Sequence, residues 1–207
     1  MITIIDYKAG NLTSVKLAFE SIGQQVKITD KPAEILRGEK IVFPGVGAAK
    51  AAMDNLESLE ILDAIKKVVA DGVPFLGICI GMQLLFESSE EDGGTTCIGM
   101  LPGSVKKFKS SEQSCKIPQM GWNTVKIVQP HPVFTNIEDQ SEFYFVHSFY
   151  PSCSERKYII GQTEYADTVF ASAAGKNNLV AVQFHPERSG RIGLKLLENF
   201  SRWDGRC

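Results

Sequence analysis

A chain of 207 residues, 43% hydrophobic and 22% charged, has the make-up of one globular domain, 1–207, that buries its own core without a disulfide or metal staple. A formal net charge of −2 argues against nucleic acid or an anionic membrane surface as the main partner. The five cysteines (79, 97, 115, 153 and 207) are odd in number and lack a Cys-x-x-Cys pair, so neither a disulfide framework nor a metal site is expected. The first residues carry no basic leader, and no apolar run is long enough for a bilayer, so the expected location is a reducing cytoplasm.

In chain order, Ile2 to Ile5 reads as a buried strand, and Asn11 is placed to cap a helix with Leu12, Val15, Phe19 and Ile22 on its apolar face, ended by Gly23. Val26 to Ile28 and Ile41 to Phe43 follow as strands, the latter stopped by Pro44. A helix is predicted over Leu59 to Ala70, closed by Gly72, and a strand over Phe75 to Ile78. This alternation implies a parallel sheet. The second half reads as strands at Val105–Phe108, Thr124–Val128, Glu142–Val146, Tyr158–Thr163, Val169–Ala173 and Leu179–Gln183, before a last helix from about Gly190 to Trp203. The predicted class is a three-layer α/β fold, a mixed, mostly parallel central sheet with helices on both faces. Lys106, Lys107 and Lys109, and the acidic run Glu87, Glu90, Glu91 and Asp92, read as solvated faces.

Three segments carry chemistry. In Gly77-Ile78-Cys79-Ile80-Gly81 an apolar strand runs into a helical pattern, the cysteine counterpart of a Gly-x-Ser-x-Gly nucleophile elbow. The flanking glycines permit a sharp turn, the helix N-terminus favours thiolate, and the Ile80 N–H faces a developing oxyanion. The competing reading is a buried structural cysteine. A thiol nucleophile needs a base, and the histidines are His131, His147 and His185. His131, in Gln-Pro-His-Pro, reads as a plain surface residue. His185 lies in Gln183-Phe184-His185-Pro186-Glu187; in an extended chain Glu187 faces the same way and holds one ring nitrogen while the other addresses Cys79. In Pro44-Gly45-Val46-Gly47 the glycines free the Val46 peptide to aim a second oxyanion N–H, or to turn it away, which makes it a place where a partner could gate the site. A dinucleotide reading of Gly45-Val46-Gly47 fails at Lys50, where a third small residue belongs, and no cofactor is expected.

Together these segments resemble the class I (triad-type) glutamine amidotransferases. Ile5-Asp-Tyr-Lys-Ala-Gly-Asn11, Pro118-Gln-Met-Gly-Trp-Asn123 and Tyr144-Phe-Val-His-Ser-Phe149 are similar, within that class, to the glutaminase subunits of imidazole glycerol phosphate synthase. The resemblance covers residues 2 to about 190. It implies a flavodoxin-like fold, hydrolysis of L-glutamine by Cys79, His185 and Glu187, and an oxyanion region at the backbone of Val46 and Ile80. It further implies substrate contacts from Gly47, Gln83, Glu91 and Ser148. The partner it implies is a separate (β/α)8-barrel cyclase in histidine biosynthesis, with Asn11, Trp122 and Arg188 near the boundary. A helix cap for Asn11 and a core position for Trp122 are the competing readings. Ile80, Phe149 and Arg188 depart from the usual Leu, Tyr and Lys. The alternatives left open are the glutaminase subunit of anthranilate or aminodeoxychorismate synthase, which typically has His in the place of Met82, and a non-catalytic module on the same fold.

Overall fold

A computed structural model describes residues 1–8, 10–109 and 116–206, so Ala9, Cys115 and Cys207 lie outside the described residues. The first half comprises β1 (Ile2–Ile5), α1 (Leu12–Ser21), β2 (Val26–Thr29), α2 (Pro32–Ile35), β3 (Lys40–Gly45), α3 (Ala49–Ser58), α4 (Leu62–Ala70), β4 (Phe75–Cys79) and α5 (Ile80–Gln83). There follow β5 (Ser88–Ser89), β6 (Thr95–Thr96), β7 (Gly103–Lys107), β8 (Gln119–Ile127), β9 (Ser141–His147), β10 (Phe149–Cys153), β11 (Ile159–Tyr165), β12 (Thr168–Lys176), β13 (Leu179–Val182) and α6 (Gly190–Arg202).

The large sheet has nine strands in the order β2-β1-β3-β4-β13-β12-β11-β8-β9. From β2 to β13 the neighbours run parallel, and from β13 onward antiparallel. The chemistry of the strands follows this division. β1, β4 and β13 are buried along their whole length, as central parallel strands must be when both faces are covered. β9 alternates, with Phe143, Phe145 and His147 inward. Burying a side chain such as Phe75, Leu76 or Ile78 on β4 contributes roughly 1.5–3 kcal/mol. α6 turns Leu196, Leu197 and Phe200 inward, and Phe200 meets Phe19 of α1 edge-on at 6.3 Å between ring centroids. A second sheet, β10-β7-β5-β6, carries Phe149.

Three expectations are corrected. Pro44 does not stop β3, which runs on through Gly45. β1 pairs with β3 only as far as Ile4–Val42, so at Pro44 the strand is paired on one side, where a missing N–H is tolerated. The predicted helix from Leu59 begins instead at Leu62, because Leu59 caps α3 and Glu60 takes a φ of 56°, breaking the chain between α3 and α4. The acidic run is no bare solvated face: carboxylates of Glu87, Glu90 and Glu91 accept the backbone N–H groups of Gly103, Lys107 and Ala49 at 2.9, 2.9 and 2.7 Å.

Candidate active site

Cys79 ends β4 with φ 56° and ψ −113°, a conformation that L-residues rarely hold without support from their surroundings. The support is visible at its two glycines. A Cβ on Gly81 would lie 2.9 Å from the Phe43 carbonyl carbon and closer still to its oxygen. One on Gly77 would sit 2.8 Å from Leu85 Cδ1 and 3.2 Å from Ala181 Cβ. The elbow is thus pressed between β3, β13 and the residues that follow α5, and at Gly81, which faces backbone, only glycine lets the chain approach so closely.

His185 follows β13, the parallel neighbour of β4, and β13 is in register with it to Val182–Ile78. Parallel neighbours end at the same edge, so His185 and Cys79 line one cavity although they are far apart in sequence. The imidazole is 2% exposed, and its Nδ1 lies 2.8 Å from Glu187 Oε1. That bond leaves Nε2 buried and without a hydrogen-bond partner, on the cavity His185 shares with Cys79. Burial acts most strongly on His185 and favours the neutral ring. The nearby Cys79 sulfur, with the charge and hydrogen bond of Glu187, outweighs it and pushes the pKa up to about 10. The arrangement is a buried imidazole, held by Glu187, whose charged form its surroundings favour.

Asn11 does not cap α1. It takes a left-handed φ of 66°, makes no side-chain cap, and donates through Nδ2 to Glu187 Oε1 at 2.8 Å. Glu187 Oε1 therefore accepts two hydrogen bonds, and Oε2 has none.

One cavity of about 320 Å³ gathers Val46, Gly47, Cys79, Ile80, Gln83, Glu91, Ser148 and His185, every expected nucleophile, base, oxyanion and substrate position, with Glu187 behind His185. Gly47 has a φ of 104°, where a side chain would be strained. Glu91 lines the wall, its carboxyl pushed up by burial against the Ala49 hydrogen bond. Beneath lies Tyr7, fully buried, its hydroxyl without a partner and packed against Gly45. Burial, aided by the charge on Cys79, raises its pKa.

The other histidines have different settings. His147 Nδ1–H donates to the Phe149 carbonyl at 2.7 Å, and burial pushes its pKa down to about 4. His131 is half-buried rather than a plain surface residue: it packs on Trp203 at 4.9 Å and accepts the Val133 N–H through Nδ1. It borders a wider hollow of about 850 Å³, lined also by Pro130, Phe134 and Arg206, which contains no cysteine.

Trp122 is 54% exposed, which excludes a core position. It meets Tyr144 edge-on at 6.2 Å, and the Arg188 guanidinium lies 4.9 Å from the same ring. The Tyr144 carbonyl in turn accepts the His185 backbone N–H at 2.9 Å, so this exposed cluster abuts His185. The contact between Asn11 and Glu187, 176 positions apart, and the amide of Gln183 beside Cys79 were not legible as sites in the sequence, although both residues stand inside motifs.

A strained cysteine elbow, a His–Glu pair just past the next parallel strand and the sheet order around them define the class of the protein. The family model described as Glutamine amidotransferase class-I matches residues 3–202. Among solved structures, one described as a glutamine amidotransferase superposes with a TM-score of 0.74 at 16% identity, covering 97% of this chain and all of that one. PurLQS from Thermotoga maritima gives 0.72 at 18%, covering 97% of each. These establish the likeness of fold.

Closer relatives narrow the class. The imidazole glycerol phosphate synthase subunit HisH of Methanocaldococcus jannaschii is 51% identical over 97% of this chain and 98% of its own length. That of Nitrosococcus oceani is 44% identical over 99% and 98%. The chain belongs to the class-I glutamine amidotransferases and, within them, to the HisH subunits of imidazole glycerol phosphate synthase. Among the described residues no helix is long and apolar enough to cross a membrane, and no cluster of side chains is suited to a metal.

Proposed function

We propose that this chain hydrolyses L-glutamine to glutamate and ammonia with Cys79, His185 and Glu187, and passes the ammonia to a (β/α)8-barrel cyclase subunit. There it completes imidazole glycerol phosphate and aminoimidazole carboxamide ribotide in histidine biosynthesis. The observation that carries the reading is the strained Cys79 elbow facing a His185 ring held at 2.8 Å by Glu187.

The steps follow from that geometry. Cys79 Sγ attacks the side-chain amide carbon, and the oxygen of the tetrahedral intermediate is held by the N–H groups of Ile80 and Val46. Protonated His185 gives its proton to the leaving nitrogen, releasing ammonia and leaving a glutamyl thioester. His185, now neutral, takes a proton from water as the water attacks the thioester, and glutamate leaves. Glu187 keeps the ring in the required tautomer and stabilises its charge, and Asn11 steadies Glu187. Gly47, Gln83, Glu91 and Ser148, which line the cavity, hold the substrate glutamine. The exposed Trp122 and Arg188, together with Asn11, form the edge nearest the cyclase.

The experiment is Cys79→Ala in the assembled complex. Product formation from glutamine should cease while that from added ammonia continues. Persistent glutamine-dependent turnover would overturn the assignment.

A further inference from the structure

Gln183 is fully buried at the end of β13, between the strand and the base. Its backbone N–H donates to the Ser172 carbonyl at 2.9 Å, so its main chain is fixed. Its side-chain Oε1 accepts from Gln83 Nε2 at 2.9 Å, and its Nε2 donates to Cys79 Sγ at 3.8 Å. Gln83 Nε2 uses its other hydrogen on the Phe149 carbonyl at 3.0 Å, which also accepts from His147 Nδ1 at 2.7 Å.

The chemistry of the partners sets the direction of this chain. Turning the Gln83 amide over would bring oxygen against the Phe149 carbonyl, and turning Gln183 over would bring oxygen against the sulfur. Neither alternative satisfies the buried groups. Hydrogen bonds therefore run one way, from Gln83 to Gln183 to sulfur. Gln83 Oε1 is left as a buried acceptor without a partner, on a residue that lines the cavity.

We propose that Gln183 is a further residue of the glutaminase reaction, donating a hydrogen bond to the Cys79 sulfur and tying the nucleophile to the cavity wall through Gln83. The proposal rests on the glutaminase reading for its kinetic consequence, and on the geometry alone for its effect on the sulfur. A buried N–H stabilises thiolate over thiol and restrains the sulfur's rotamer. A ligand that engages Gln83 Oε1 polarises the same chain and strengthens its far end.

The test is Gln183→Leu in the full chain, read by iodoacetamide alkylation of Cys79 against pH and by glutaminase kinetics in the complex. The titratable groups around this sulfur are His185 and Tyr7, with His147 and Glu91 across the cavity, and all four remain. Loss of one donor to a charged atom should raise the alkylation midpoint by about one pH unit and lower kcat about tenfold. KM should change less, and ammonia-dependent synthesis should be kept. A folded variant with unchanged midpoint and kcat would overturn the proposal. Should Gln183→Leu not fold, the unsubstituted protein decides: the Gln183 side-chain amide resonances must titrate with the same midpoint as Cys79 alkylation, and their failure to move overturns it. Alkylation and amide shifts need no glutamine turnover, so this failure is distinct from failure of the glutaminase reading, which Cys79→Ala reports.

Discussion

Gly81→Ala is the smallest change that tests whether packing holds the elbow in place. Gly81 has no positive φ, so alanine suits its backbone and the perturbation is one of contact alone. The added methyl would meet the Phe43 carbonyl, its carbon at 2.9 Å and its oxygen closer. A carbon–oxygen contact is ordinarily no shorter than about 3.3 Å, so the elbow or β3 must shift by on the order of 1 Å. β3 is hydrogen-bonded to β1 on one side and β4 on the other, and Phe43 packs on Phe75 at 5.9 Å, so the elbow yields first. Overpacking of this kind costs about 1–3 kcal/mol, at roughly 2–4 °C of Tm per kcal/mol for a domain of this size. A misplacement near 1 Å at the reacting atom lowers rate about 100-fold. Gly77→Ala is the control: its nearest neighbour, at 2.8 Å, is the tip of Leu85, which can turn aside, and the loss should stay within about tenfold. The assays are glutamate release by the complex and thermal unfolding of the chain. Full activity and unchanged Tm in Gly81→Ala, or a worse result for Gly77→Ala, would refute the packing argument.

The histidines should separate clearly. His185→Ala should cost roughly 100- to 10,000-fold in kcat and Glu187→Gln less, whereas His147→Ala, whose Nδ1 is bound to the Phe149 carbonyl, should act mainly on stability; a larger kcat loss at His147 would reverse the assignment. Because the His185 pKa is raised to about 10, its contribution to stability is fully present below about pH 6.5, shrinks from there and is gone above about pH 10. The alkaline limb of the glutaminase profile should accordingly lie near pH 10, and Glu187→Gln should move it down; a limb near 6.5 in the unsubstituted complex would contradict the ion pair. Asn11→Gly keeps the left-handed turn and removes only the donor to Glu187, so kcat should fall about tenfold with stability little changed; lost stability with unchanged kcat would make Asn11 a turn residue alone.

How much of this was legible in the sequence follows from the type of signal. Ile2–Ile5, Phe75–Ile78 and Leu179–Val182 stand out as apolar runs because their strands are buried on both faces. α3 was missed although Ala49, Ala52, Met53 and Leu56 recur at helical spacing, because three alanines dilute the apolar contrast; the predicted helix opened only at Leu59, the C-cap of α3, and took in the junction and α4. β10 was missed because its burial pattern shows no clean alternation. At the site, the elbow and the His–Pro–Glu step are local patterns and could be read directly. Asn11 on Glu187 and Gln183 on Cys79 depend on which strands are neighbours, and the Asn11 side chain suits a helix cap as well as a carboxylate.

The sheet order explains why the chemistry gathers where it does. β3, β4 and β13 are consecutive parallel strands, with Gly45 in register with Cys79 and Val182 with Ile78. Their carboxyl ends therefore lie side by side and deliver the Val46 peptide, the Cys79 sulfur and the His185 ring to one edge, with Cys79 in the middle. Each strand needs a different device at its end. β3 has glycines that free a peptide, β4 has an elbow pressed into place by Phe43, and β13 has a proline-fixed step that brings Glu187 onto His185. β1 lies on the far side of β3, and the turn after it carries Tyr7 under Gly45 and Asn11 onto Glu187. That turn thus touches Gly45 on one strand and Glu187 beyond another, while Asn11 itself is only half-buried. A single side chain therefore links this outer edge to the Glu187 carboxylate.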